Sequence, residues 1–134
     1  MDIDTLQYSM KEIGMIQKEY RPWGWFKVLE RGDKYCVKQL FVEKDMRISL
    51  QFHRYRTEDW VIVEGDGVIT QSNLETPCKV GDTFHISVEQ RHRIAGGKNG
   101  ITIIEVQRGK CQEDDIVRLE DDYNRVEHHT WGHY

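Results

Sequence analysis

Three side chains in residues 48–65 have the types and spacing to hold a metal ion. Gln51 and His53 lie on one side of the alternating run ISLQFH, and Ile48, Leu50 and Phe52 lie on the other. Such period-two alternation predicts a strand with two unlike faces. Glu58 comes five residues after His53 and can return to the same side from a second strand-like run, residues 60–63. An amide oxygen, an imidazole and a carboxylate are all accepted by divalent metals. The same residues also fit a polar strand face turned to water, with Glu58 as a solvated charge.

The surrounding pattern is one of short strands. Pro22, in Arg21-Pro22-Trp23-Gly24, has no amide donor and favours a strand entry or edge. Strands are predicted over residues 25–29, 35–42, 48–53, 60–63, 68–70, 83–86 and 101–107. Turn signals fall at 31–33, 44–45, 64–67 and 78–82, with loops at 71–77 and 96–100. This spacing predicts an antiparallel sandwich or barrel. Ile3, Leu6, Met10 and Ile13 fall on one helical face, so residues 1–19 are expected to form a short helix or arm. Residues 20–125 form the domain, and 126–134 are read as a tail carrying His128, His129 and His133. The acidic run at 113–123 reads as a solvated terminal face.

Composition narrows the function classes. A chain of 134 residues suits one core, and its net charge of −4 argues against general nucleic-acid binding. Neither a membrane-length apolar run nor the apolar core of a signal peptide is present. Cys36, Cys78 and Cys111 form no C-x-x-C pair and read as free thiols, which implies a reducing, cytoplasmic setting.

Gln51, His53, Glu58 and Gly65 resemble the first motif of the cupin superfamily, with Gln in the first His place. Gly81-Asp82, a short apolar strand and Gln90-Arg91-His92-Arg93 resemble the second. A closer likeness rests on Arg21-Pro22-Trp23-Gly24, Ser49-Leu50-Gln51, Glu105-Val106-Gln107 and the run EDDIVRLED from Glu113 to Asp121. Together these resemble type II mannose-6-phosphate isomerases, the cupin domain of bifunctional mannose-1-phosphate guanylyltransferases, over residues 20–125. The chain departs from that pattern at Arg54, Tyr55, Asp59, Ser87 and Glu89, next to the inferred ligands.

The resemblance implies an all-β cupin jelly roll and one divalent metal held by Gln51, His53, Glu58 and His92. Zinc is the first choice, and manganese, iron or nickel also accept such ligands. It further implies a sugar-phosphate substrate, interconversion of mannose 6-phosphate and fructose 6-phosphate, and no guanylyl transfer. Arg118 is then the expected catalytic cation and Glu105 a second carboxylate at the site. Lys38, Ser49 and Arg56 are expected to contact phosphate. A homodimer is the default assembly for a small sheet protein with exposed edges. The competing readings are a cupin that binds metal and sugar without turnover, and another cupin enzyme such as an iron oxygenase.

Overall fold

The computed structural model describes residues 17–126. The expected N-terminal helix and the tail histidines lie outside the described residues. Among the described residues there are nine strands and no helix: β1 (Glu19–Arg21), β2 (Gly24–Arg31), β3 (Tyr35–Val42), β4 (Leu50–Phe52), β5 (Arg56–Gln71), β6 (Leu74–Lys79), β7 (Thr83–Ile86), β8 (His92–Gly109) and β9 (Val117–Glu120). The all-β expectation holds. No helix there is long and apolar enough to cross a membrane.

Every strand pairing is antiparallel. Two long strands, β5 and β8, run through both halves of a curled sheet. The start of β5 and the end of β8 pair with each other and continue outward to β7 on one side and to β3, β2 and β1 on the other. The end of β5 and the start of β8 pair again, flanked by β6 and by β4 and β9. The result is a half-barrel whose concave side holds the core.

Alternation decides which side chains enter it. On β5, Arg56, Glu58, Trp60 and Ile62 point inward. On β3 the inward set is Cys36, Lys38, Leu40 and Val42, and on β8 it includes Ile101, Ile103, Glu105 and Gln107. Cross-strand pairing lines these up in rows: Leu40, Ile103 and Ile62, then Lys38, Glu105 and Trp60, then Cys36, Gln107 and Glu58. The interior therefore grades from an apolar end, which supplies the hydrophobic stabilisation, to a polar end.

Three expected breaks are strands instead. The predicted turn at 64–67 and loop at 96–100 are a paired irregularity within β5 and β8, where Gly97 to Gly100 face Asp66 alone. Bulges of this kind bend long strands. The predicted loop at 71–77 is mostly β6, which tolerates Pro77 because it is an edge strand paired only to β5.

Gly65 shows what the bend demands. Its φ is +76°, and a Cβ there would lie 2.0 Å from the carbonyl oxygen of Gly100. Gly65→Ala is expected to destabilise the fold beyond the roughly 1–3 kcal/mol of left-handed strain alone. Gly81→Ala, at φ +96° with nothing within 4 Å, should show only the strain. Urea melts of both variants would check the order.

Candidate metal centre

His53 follows β4, Glu58 sits near the start of β5, and His92 opens β8. All three are buried, and one ligating atom from each lies within 4.8 Å of the others. The distances are 3.2 Å between His92 Nε2 and His53 Nε2 and 3.3 Å between His53 Nε2 and Glu58 Oε2. Both rings are held from behind. His53 Nδ1 donates to the carbonyl of Asp115 at 2.6 Å, and His92 Nδ1 donates to the carbonyl of Gln90 at 2.8 Å. A carbonyl oxygen only accepts, so each Nδ1 carries the proton and each neutral ring presents a bare Nε2. Two nitrogen lone pairs and a carboxylate oxygen thus converge on one point. Such a donor set fits a divalent cation.

Charge reinforces this. Burial pushes His53 down to about 4 against the pull of Glu58, and burial also lowers His92. Both rings are therefore neutral near neutral pH, as ligands must be. Burial favours protonation of Glu58, yet His53 and His92, which take up protons in acid, and the Arg56 guanidinium hold its carboxyl below the usual carboxylate range. Trp60 Nε1 donates to Glu58 Oε1 at 2.9 Å, which fixes the carboxylate plane.

Gln51 completes a row. It pairs with His92 of β8 on one side and with Arg118 of β9 on the other, so the three side chains share the concave face. Its Oε1 accepts from Ser49 Oγ at 3.3 Å. Ser49 and His53 are buried on this side, as is Ile48 before them, while Leu50, Gln51 and Phe52 are half-buried. The reading of that face as solvated does not hold.

The cluster opens into a small cavity of about 140 Å³. Every other predicted site residue lines it. Lys38, 5% exposed, ion-pairs with Glu113 and lies opposite Glu105 in the sheet. Ser49 is buried at its wall. Arg56 donates to Glu58 Oε2 at 2.8 Å, to His53 Nε2 at 3.2 Å and to the Gln112 carbonyl at 2.9 Å. One lone pair serves one partner, so a metal on His53 Nε2 takes the place of that Arg56 contact. The Nε of Arg118 is buried at the cavity wall. Glu105 is 4% exposed. Burial, and then the charge of Glu58, push its pKa up to about 8 against Lys38 and the 2.6 Å bond from Gln107 Nε2.

Arg21, Gln107, Glu113 and Arg125 also line the cavity and were not named as site residues from the sequence. Gln107 was legible, being two residues from Glu105 on one strand. Arg125 is held by both carboxylate oxygens of Asp121, at 2.7 and 3.1 Å, a contact the sequence shows only as an i,i+4 spacing. The positions that depart from the family pattern face elsewhere. The Arg54 guanidinium packs over Phe52, Tyr55 is exposed, and Asp59 pairs with His85 and Arg108 on the outer surface.

Glu105 also makes stability depend on pH. Its carboxyl ionises near 4.5 when unfolded but only near 8 when folded, so the fold binds the extra proton between those values. Stability contributed by the protonated group is present below 4.5 and is lost as pH rises through 8. His53 and His92 act in the opposite sense, but only below their ordinary 6.5. The window from 6.5 to 8 therefore isolates Glu105. In chelator-treated protein, urea midpoints should decline across it for the wild type and stay level for Glu105→Gln. A level wild-type curve would contradict the buried, protonated carboxyl.

Residues 9–121 match the family described as Mannose-6-phosphate isomerase C-terminal. The alginate biosynthesis protein AlgA of Pseudomonas aeruginosa is 39% identical over 109 residues, which are 80% of this chain and 23% of that protein. The mannose-1-phosphate guanylyltransferase ManC of Salmonella typhimurium is 34% identical over 114 residues, 84% of this chain and 24% of that one. The chain thus spans about a quarter of the length of the curated relatives it matches. Among solved structures, an oxalate decarboxylase OxdC variant from Bacillus subtilis superimposes with a TM-score of 0.70 at 14% identity, covering 79% of this chain and 31% of that one. That likeness is one of fold alone, and it agrees with the expected cupin jelly roll. With a family match over most of its length, the chain belongs to the mannose-6-phosphate isomerase C-terminal family.

Proposed function

We propose that this domain interconverts mannose 6-phosphate and fructose 6-phosphate, with a divalent metal held by His53, Glu58, His92 and Gln51. The observation that carries this reading is the convergence of two bare imidazole nitrogens and a carboxylate beside a cavity lined by His53 and Glu58, and also by Glu105 and several cations. When bound, the metal supplies Lewis acidity that polarises substrate oxygens. Zinc is our first choice of metal.

The remaining work falls to the chain. Isomerisation breaks the C2–H bond of the aldose, forms an enediol, and delivers a proton to C1 as the C2 oxygen becomes the carbonyl. No electrons leave the substrate. Glu105, raised to about 8, is poised near neutral pH to take that proton and return it. Arg118, beside Gln51, offers a planar cation to the oxygen on which negative charge develops. Lys38 already holds one anionic oxygen, from Glu113, and with Ser49 is assigned to the phosphate. Arg56 was expected at the phosphate, but its guanidinium spans two ligands and a carbonyl, so it is assigned to orienting the ligands.

The departures at Arg54, Tyr55 and Asp59 lie off the cavity wall, which supports turnover over a binding-only role. Mannose 6-phosphate conversion by zinc- or manganese-loaded protein tests the reading. Metal binding without conversion would leave the binding module, and oxygen uptake with Fe(II) would point to the oxygenase.

A further inference from the structure

The acidic stretch after β8, read from sequence as a solvated face, is bonded to the ligand-bearing turn instead. Residues 110–116 cross the turn that joins His53 to β5. Lys110 N donates to the Tyr55 carbonyl at 3.0 Å, and Gln112 accepts from Arg56. The densest contact is Asp115. Its two carboxylate oxygens accept from the backbone N–H groups of Arg54 and Tyr55, at 2.9 and 3.0 Å. Its own carbonyl accepts from His53 Nδ1 at 2.6 Å.

These bonds act on one object. Two successive N–H groups gripped by one carboxylate fix the backbone just after His53. That grip also sets where the Asp115 carbonyl stands relative to the His53 ring. The carbonyl, together with the Arg56 donation to Nε2, selects the tautomer with the proton on Nδ1 and the lone pair on Nε2, the atom facing Glu58 and His92. From the other side, Glu89 N donates to the His53 carbonyl at 2.7 Å, so the turn is held at both edges. Neighbouring Asp114 is exposed and makes none of these bonds.

We infer that Asp115 is a positioning residue for the metal centre: its carboxylate clamps the turn so that its carbonyl holds His53 in the ligating tautomer and orientation. The inference rests on the metal reading of the cluster, but half of its test needs no metal. A small amide or hydroxyl cannot replace the clamp fully, because two N–H donors require two acceptor oxygens. Asp115→Asn keeps one acceptor and turns an NH₂ group toward the second donor. Asp115→Ala removes both acceptors.

The test compares the wild type, Asp115→Ala, Asp115→Asn and Asp114→Ala. Long-range proton–nitrogen NMR of the metal-free proteins reads the His53 tautomer, and competition against a chelator of known strength reads zinc affinity. The wild type and Asp114→Ala should show the Nδ1–H tautomer and equal affinity. Asp115→Ala should show mixed tautomers and a loss of about 10–100-fold in zinc affinity, the usual effect of removing a ligand's outer hydrogen-bond partner. Asp115→Asn should fall between. Should the alanine variant fail to fold, the asparagine variant decides by the same readouts. An unchanged tautomer with wild-type zinc affinity in the folded variant would overturn the inference. A shifted tautomer in a protein whose wild type binds no zinc would overturn the metal reading and leave the clamp on the turn standing.

Discussion

His92→Ala protein, made without a histidine tag and equilibrated with zinc, is expected to lose most of its bound metal, and His53→Ala is expected to do the same. Each substitution removes one of the two bare nitrogens in the cluster. The loss should exceed the roughly 10–100-fold that follows when only a ligand's outer hydrogen-bond partner is removed. Gln51→Ala should lose less, because a neutral amide oxygen is the weakest donor of the four. Cavity terms will also appear, since His92 is 1% exposed and stacks edge-on against Trp60 with ring centroids 5.5 Å apart. Melting curves of the metal-free variants separate that structural loss from the loss of the metal. Zinc affinity unchanged in both histidine variants would remove the cluster as the binding site.

The second large effect concerns Glu105 and Arg118. Loss of a proton-transferring group costs about 10²–10⁴ in rate, so Glu105→Gln should lower kcat by that order with metal content unchanged. In the wild type, kcat/KM should rise as pH climbs through the titration of Glu105, because only the ionised carboxylate accepts the proton from carbon. Arg118→Lys should also lower kcat, by on the order of a hundredfold if the guanidinium stabilises charge that appears only in the transition state. An ammonium does not reproduce its planar fork. A rise in KM with kcat intact would reassign Arg118 to substrate grip. Steady-state kinetics of the three proteins at several pH values distinguish these outcomes.

The fold class was legible because short alternating runs recur between glycine and turn residues, even where those residues bend a long strand rather than end it. The candidate ligands were legible because Gln51 and His53 share a phase in a regular apolar alternation and Glu58 stands at the next strand-like run. The polarity of the interior was not. In YCVKQLFV both phases carry apolar residues, so the sequence does not show whether Lys38 or Val37 faces inward. The run Ile101-Thr102-Ile103-Ile104 is ambiguous in the same way, and it leads into Glu105 and Gln107. Cross-strand rows settle the phase, and they form only when β3, β5 and β8 pair. Asp115 was hidden for a related reason. Its value lies in bonds to a turn some sixty positions earlier, and local pattern gives only an acidic run. The bends at Gly65 and Gly100 were visible as glycines, but whether they end a strand or curve it depends on the partner across the sheet.

The most direct test of the central claim is a single turnover measurement. Mannose 6-phosphate is incubated in deuterium oxide with zinc- or manganese-loaded protein and followed by proton NMR, beside a chelated sample and Glu105→Gln. The expected result is fructose 6-phosphate in the loaded wild type, with solvent deuterium at C1 only to the extent that Glu105 exchanges its proton before returning it, and little or none in the two controls. Fully loaded protein that binds the sugar phosphate yet forms no fructose 6-phosphate would contradict the account.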